Sequence, residues 1–169
     1  MSDDDRLDGV GSIETKRLRL AALEPDDAEE LRALTDDAAI TEAISFLSTP
    51  FTLADAEALI RSQNHRDRFL GARLTKGDAL IGVIGTHLHG DDSVEIGYWI
   101  GTLHQGMGYA TEAAQGVAAR LGDLFPGRKI IAECRPENVA SWAVLTKVGF
   151  VPTGEDGKRS GRKLLILNR

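Results

Sequence analysis

The chain has 169 residues, 42% hydrophobic and 27% charged, enough for one domain with a sizeable core and short for two. No apolar run approaches the roughly 20 residues that span a bilayer, and the acidic start Met1-Ser2-Asp3-Asp4-Asp5 is unlike a secretory signal, so no membrane partner and a cytoplasmic setting are expected. A formal net charge of −6 argues against nonspecific nucleic-acid binding and is compatible with a cationic partner, and the single cysteine, Cys134, excludes an internal disulfide.

Residues 1–12 read as a flexible acidic lead-in and 13–169 as a single domain. Between Thr15 and Leu23, Leu18 and Leu20 alternate with Arg17 and Arg19, which predicts a half-buried strand. A helix follows, opened by Pro25 or Asp26 and carrying Ala28, Leu31 and Leu34 at helical spacing. A second helix starts at Thr52, where Thr52 and Asp55 form a capping box, and continues through Ala56, Leu59 and Ile60. Phe69–Leu74 and Ala79–Leu88 read as strands joined through Lys76-Gly77-Asp78, and Gly90-Asp91-Asp92 marks the next turn. In the strand Val94–Ile100, Val94, Ile96, Tyr98 and Ile100 share one face, and Glu95, Gly97 and Trp99 the other.

The run Gln105-Gly106-Met107-Gly108-Tyr109-Ala110 then joins this strand to a helix. With side chains absent at Gly106 and Gly108, consecutive backbone N–H groups can close on an anion, and the helix adds its positive end. That suits a pyrophosphate, although a plain strand-to-helix turn uses glycine too. The helix carries Ala110, Ala113, Ala114, Val117, Ala118 and Leu121 as a small-residue stripe, which allows close packing. Lys129–Cys134 reads as a strand. Asn138 opens a last helix that ends at Gly149, with Phe150 as the apolar contact beyond it. A polar turn over residues 154–161 separates two final strand-like pieces. The whole is a mixed α/β layer around one sheet.

The strand Glu95–Ile100, the loop 105–110 with Thr111-Glu112-Ala113, and the closing Asn138-Val139-Ala140-Ser141 with Leu145, Lys147, Gly149 and Phe150 resemble the GNAT superfamily of acyl-CoA-dependent N-acyltransferases, in particular the branch of ribosomal-protein N-terminal alanine and serine acetyltransferases. The resemblance covers residues 13–169 and rests on two motifs in the expected order and context. It implies a central mixed, largely antiparallel sheet, splayed between two parallel strands and flanked by about four helices. It implies acetyl-CoA as co-substrate, its pyrophosphate held at Gln105, Gly106, Met107, Gly108, Tyr109 and Ala110, and its pantetheine arm held by backbone groups near Trp99 and Ile100 and by Asn138. A homodimer is compatible with the family.

Acyl transfer from a thioester to an amine needs a neutral amine, support for the developing oxyanion and a proton for the departing thiolate. Orienting the two reactants supplies much of the rate. Glu95 is the first candidate for the base and resembles the glutamate that many family members use; Glu133, on the neighbouring strand, is the second. His87 and His89 read as surface residues. Ser141, in the first turn of the last helix, could protonate the thiolate or simply bond backbone. Many members place a tyrosine five residues before the final phenylalanine, where this chain has Leu145, which cannot donate a proton. Cys134 reads as a small core residue, since no histidine stands near it in sequence to activate it. The histidines at 65, 87, 89 and 104 lack ligand spacing, so no metal is expected. The expected acceptor is a primary amine, a peptide N-terminus or a small molecule; the alternative is a non-catalytic acyl-CoA sensor of the same fold. A nicotinamide-dependent dehydrogenase is disfavoured because the glycine loop does not follow the first strand of a βαβ unit.

Overall fold

A computed structural model describes residues 5–169. Eight strands form one sheet in the order β1-β2-β3-β4-β5-β6-β8-β7: β1 Ile13–Glu14, β2 Leu18–Ala22, β3 Asp67–Leu74, β4 Leu80–His89, β5 Ser93–Ile100, β6 Lys129–Cys134, β7 Phe150–Asp156 and β8 Lys163–Leu167. Five α-helices accompany it: α1 Ala28–Thr35, α2 Ala38–Thr41, α3 Leu53–Arg61, α4 Tyr109–Leu124 and α5 Val139–Val148. The mixed, largely antiparallel sheet anticipated from the resemblance is present.

The sheet has a core on each face. The stripe Ala113, Ala114, Val117, Ala118 and Leu121 is buried, and α4 packs with Leu18, Leu20, Val94, Ile96 and Ile130. Small side chains bring this helix close: a Cβ at Gly116 would lie 2.9 Å from Thr15 Cγ2. Leu31 of α1 and Ala56 and Ile60 of α3 cover the opposite face with Phe69, Val83 and Trp99. Truncating a fully buried leucine such as Leu121 to alanine would remove about 2–5 kcal/mol.

Local chemistry sets the helix ends. Thr52 and Asp55 form the reciprocal capping box expected of them, and Asn138 Oδ1 accepts the Ser141 N–H at 3.2 Å. Gly149 closes α5 at φ 114°, a conformation glycine adopts freely, and Phe150 is buried beyond it.

The chain start differs from expectation. Met1–Asp4 lie outside the described residues, but Leu7–Val10 form a 3-10 turn with Leu7 and Val10 buried against the core, so packing begins before residue 13. These two apolar residues in an otherwise polar stretch were the overlooked signal.

The connection that matters for function is β5 to β6, the one parallel pair among the described residues. It holds at Ser93↔Lys129, Val94↔Ile130 and Glu95↔Ile131 and pairs no further, so the two strands diverge after Glu95.

Candidate active site

The divergence leaves a cleft that passes through the sheet. Alternation along β5 and β6 gives its faces different characters. Tyr98, Ala132 and Cys134 belong to the α4 and α5 side, while Trp99 packs in the opposite core and Glu95 and Glu133 alternate onto that same side. A cavity at the cleft is lined by Glu95, Gly97, Tyr98, Glu133 and Ser141, among others.

Backbone groups line the open edge. Lys129 N–H donates to Asp92 O at 2.8 Å towards β6, and Gly101 N–H donates to Ile81 O at 2.8 Å towards β4. Alternation between these anchors turns the peptide groups of Ile96, Tyr98 and Ile100 to the cleft and those of Trp99 into the β4 ladder. Trp99, expected beside the pantetheine, therefore has a different place: its buried indole N–H donates to Thr35 Oγ1 at 3.1 Å and its ring joins Phe46 and Phe69 as an aromatic wall. Ile100 is on the open edge, where its carbonyl accepts from Gln105 Nε2 at 2.9 Å.

The glycine loop sits at the end of β5. Gly106 and Gly108 have φ of 74° and 82°, and Gly108 is the residue before α4. Positive φ at both turns the loop back on itself, leaving the first N–H groups of a sixteen-residue helix without intrahelical acceptors. Such a cradle fits an anion such as a pyrophosphate. Arg17 joins the loop from β1–β2, its Nη1 donating to Met107 O at 3.0 Å and its guanidinium 4.2 Å from the Tyr109 ring centre. Glu112 anchors Arg17, with Oε1 accepting from Arg17 Nε at 2.7 Å and Oε2 from Thr15 Oγ1 at 2.6 Å. Burial opposes the Glu112 carboxylate, but hydrogen bonds from Thr15 and Arg17 outweigh it and hold its pKa below the ordinary value.

On the α1 and α3 side the polar groups are tightly linked. Arg159, in the turn between β7 and β8, reaches Glu95 Oε1 with Nη2 and Glu133 Oε2 with Nε at 2.8 Å. Glu133 Oε1 also accepts the Lys158 N–H at 2.5 Å. Glu95 Oε2 lies 2.6 Å from His89 Nε2, and His87 Nδ1 lies 2.9 Å from Asp67 Oδ1. Neither histidine is an isolated surface residue, contrary to the expectation from sequence. Burial lowers the pKa of both, with nearby Lys158 adding to the effect at His89. The neutral His89 donates its Nε2–H to the carboxylate, which leaves Nδ1 to accept a proton.

Across the cleft Tyr98 Oη lies 2.9 Å from Ser141 Oγ and 3.2 Å from Ser141 O, with Leu145 buried below. Burial pushes the Tyr98 pKa up to about 12, so the phenol keeps its proton. Burial also raises the Cys134 thiol, whose Sγ donates to Arg135 O at 3.4 Å; this suits a core residue and not a nucleophile. Among the described residues no cluster of three or more His, Cys, Asp or Glu could hold a metal ion, and no helix is long and apolar enough to cross a membrane.

Sequence reasoning missed Tyr98, His89, Arg17 and Arg159 as site residues. The turn Gly90-Asp91-Asp92 could have found His89 and His87, since a hairpin there sets His89 opposite Ser93 and His87 opposite Glu95. Nothing local marks Arg159, which comes from 64 residues beyond Glu95.

Known proteins share this architecture. Residues 17–151 match the family described as Acetyltransferase (GNAT) domain. The chain is 32% identical over 141 residues to the uncharacterized N-acetyltransferase YnaD of Bacillus subtilis (strain 168), covering 82% of this chain and 81% of the relative. It is 36% identical over 81 residues to the ribosomal-protein-serine acetyltransferase of Escherichia coli (strain K12), covering 47% of this chain and 45% of that one. The crystal structure of a GNAT-family acetyltransferase from Bacillus anthracis superimposes with a TM-score of 0.79 at 26% identity, covering 92% of this chain and 95% of the other. With the family matched over most of its length and the splayed sheet and glycine loop in place, the chain belongs to the GNAT acetyltransferases and is an acetyl-CoA-dependent N-acetyltransferase.

Proposed function

We propose that the enzyme transfers the acetyl group directly to a primary amine in a ternary complex, with cofactor and acceptor entering the cleft from opposite faces of the sheet. The observation that carries this reading is the parting of β5 and β6 after Glu95, with the anion cradle on one side and the linked carboxylates on the other. Acetyl-CoA supplies an acetyl group already activated as a thioester. The N–H groups of Gly106, Met107, Gly108, Tyr109 and Ala110 bind its pyrophosphate, and Gln105 braces that loop on Ile100. The cleft-facing peptide groups of Tyr98 and Ile100 bind the pantetheine arm as an added strand would, and Asn138 closes its other side.

Glu95 takes the proton from the incoming ammonium group. Each of its oxygens has a second lone pair beyond the contacts to Arg159 and His89. His89, neutral and 2.6 Å from Glu95, donates its Nε2–H to the carboxylate and orients it, and Glu95 releases the proton to solvent once product leaves. On the thiolate side Ser141 donates, and Tyr98 hydrogen-bonds Ser141 Oγ so that the serine proton is free for sulfur. The Tyr98–Ser141 pair thus stands in for the tyrosine replaced by Leu145. Glu133 neutralises Arg159 and keeps it in place.

The test is to incubate the purified protein with acetyl-CoA and primary amines, namely N-terminal peptides, amino acids, polyamines and aminoglycosides, and to follow free CoA thiol. Acceptor-dependent release, lost in Glu95→Gln, is expected. Saturable acetyl-CoA binding with no release from any amine would overturn the reading.

A further inference from the structure

On the reading that acceptor binds on the Glu95 side, we propose that the acceptor is a small primary amine carrying an anionic group, a carboxylate or a phosphate, and that Arg162 with Arg135 binds that group. Three guanidinium groups line the cavity, at Arg135, Arg159 and Arg162, against two carboxylates, Glu95 and Glu133. Arg159 is engaged by both carboxylates. Among the described residues, Arg135 and Arg162 form no salt bridge. Arg162 is also incompletely satisfied: its Nε is buried without a hydrogen-bond partner, and its Nη2 has only a long bond to Ala43 O, at 3.3 Å. A buried donor left in this way is unfavourable, and an arriving oxygen acceptor would relieve it. Burial lowers the Arg159 pKa, and the nearby charge of Arg162 adds to that lowering.

The cavity therefore holds complementary poles. The carboxylate of Glu95 attracts an ammonium group, while Arg162 and Arg135 offer forked donors that match a carboxylate or phosphate. A zwitterion satisfies both; a polyamine or aminoglycoside would bring only positive charge to a cavity that already has a surplus. Arg162 reaches Ala43 O across the cavity, and Phe46, Phe69 and Trp99 form an apolar wall beside it, which suits a compact ligand with an apolar part. The overall charge of −6, compatible with a cationic partner, does not describe this cavity.

The experiment uses Trp99 as reporter. The chain has two tryptophans, so Trp142→Phe leaves Trp99 alone on the cavity wall. With saturating CoA present, phenylacetate, phenyl phosphate and neutral phenylacetamide are titrated while its emission is followed. The two anions should bind saturably, at least about tenfold tighter than the amide, and the tighter of the two identifies the anion class. Arg162→Gln should abolish that preference while its affinity for acetyl-CoA stays unchanged, which also reports that the variant is folded; Arg135→Gln should weaken it. Equal binding of phenylacetamide, an unaltered preference in Arg162→Gln, or anion binding that vanishes once CoA is present would each overturn the proposal, the last because the arginines would then serve the cofactor's phosphates. Failure of the acetyl-transfer reading is seen separately, as absence of thiol release with every amine, and leaves the anion titration readable.

Discussion

The two ends of the cleft are built by different means. At the end proposed for the cofactor phosphates, Gln105–Ala110 and the start of α4 form a cradle from consecutive backbone N–H groups, and glycine matters there through its φ of 74° and 82°. At the end proposed for the acceptor, side chains from β4, β5, β6 and the β7–β8 turn converge: His89, Glu95, Glu133 and Arg159. A backbone cradle recognises a feature common to every acyl-CoA and survives most side-chain changes. A side-chain cluster can be altered one residue at a time, which is why we propose that specificity and proton transfer belong there.

This division is broken most sharply at Glu95. Glu95→Gln keeps the size and the contact to Arg159 but removes the carboxylate proposed as base, so kcat should fall by about 10²–10³ with acetyl-CoA affinity unchanged, as read by thiol release and isothermal titration. Gly108→Val should do the opposite. A branched side chain at positive φ costs roughly 1–2 kcal/mol and crowds the cradle, so the dissociation constant for acetyl-CoA should rise about tenfold or more while the acceptor KM stays put.

Ser141→Ala should lower kcat about tenfold if the hydroxyl pair with Tyr98 protonates the thiolate, and the loss should be smaller for an acyl donor whose leaving thiol is more acidic. Gly97→Val sharpens the contrast from another side. A Cβ there meets nothing within 4 Å, so stability should hold while the acceptor KM rises several-fold from filling the Glu95 face. The smallest effect is on pH. His87 and His89 have folded pKa values below the ordinary 6.5, so the unfolded chain binds more protons as pH falls through that region. Stability should be fully present above about pH 6.5 and decline towards pH 5. A melting scan across that range checks this, and His87→Gln should flatten the slope.

How much could be read in advance follows the same division. The β5 alternation, the glycine loop, the alanine stripe of α4, the Thr52 capping box and the Asn138 and Gly149 ends of α5 all depend on residues within a few positions of one another, and each stood as read. The positions of Glu95 on β5 and Ser141 in the first turn of α5 were legible for the same reason, through strand alternation and helix position. Arg159 was not, because its partners Glu95 and Glu133 are 64 and 26 residues away and only the folded sheet order brings β8 beside β6. His89 lay between: its turn was legible, but the hairpin register had not been followed through to Glu95. Leu7 and Val10 were misread because local composition outweighed two apolar residues whose partners lie across the fold.

The central claim, that one cleft separates cofactor holding from proton transfer, is tested most directly by measuring the acetyl-CoA dissociation constant and the rate of CoA thiol release side by side in wild type, Glu95→Gln and Gly108→Val. The account predicts crossed effects, with Glu95→Gln binding normally and turning over slowly, and Gly108→Val binding weakly but approaching the wild-type rate at saturating acetyl-CoA. Equal loss of binding and turnover in both variants would contradict it.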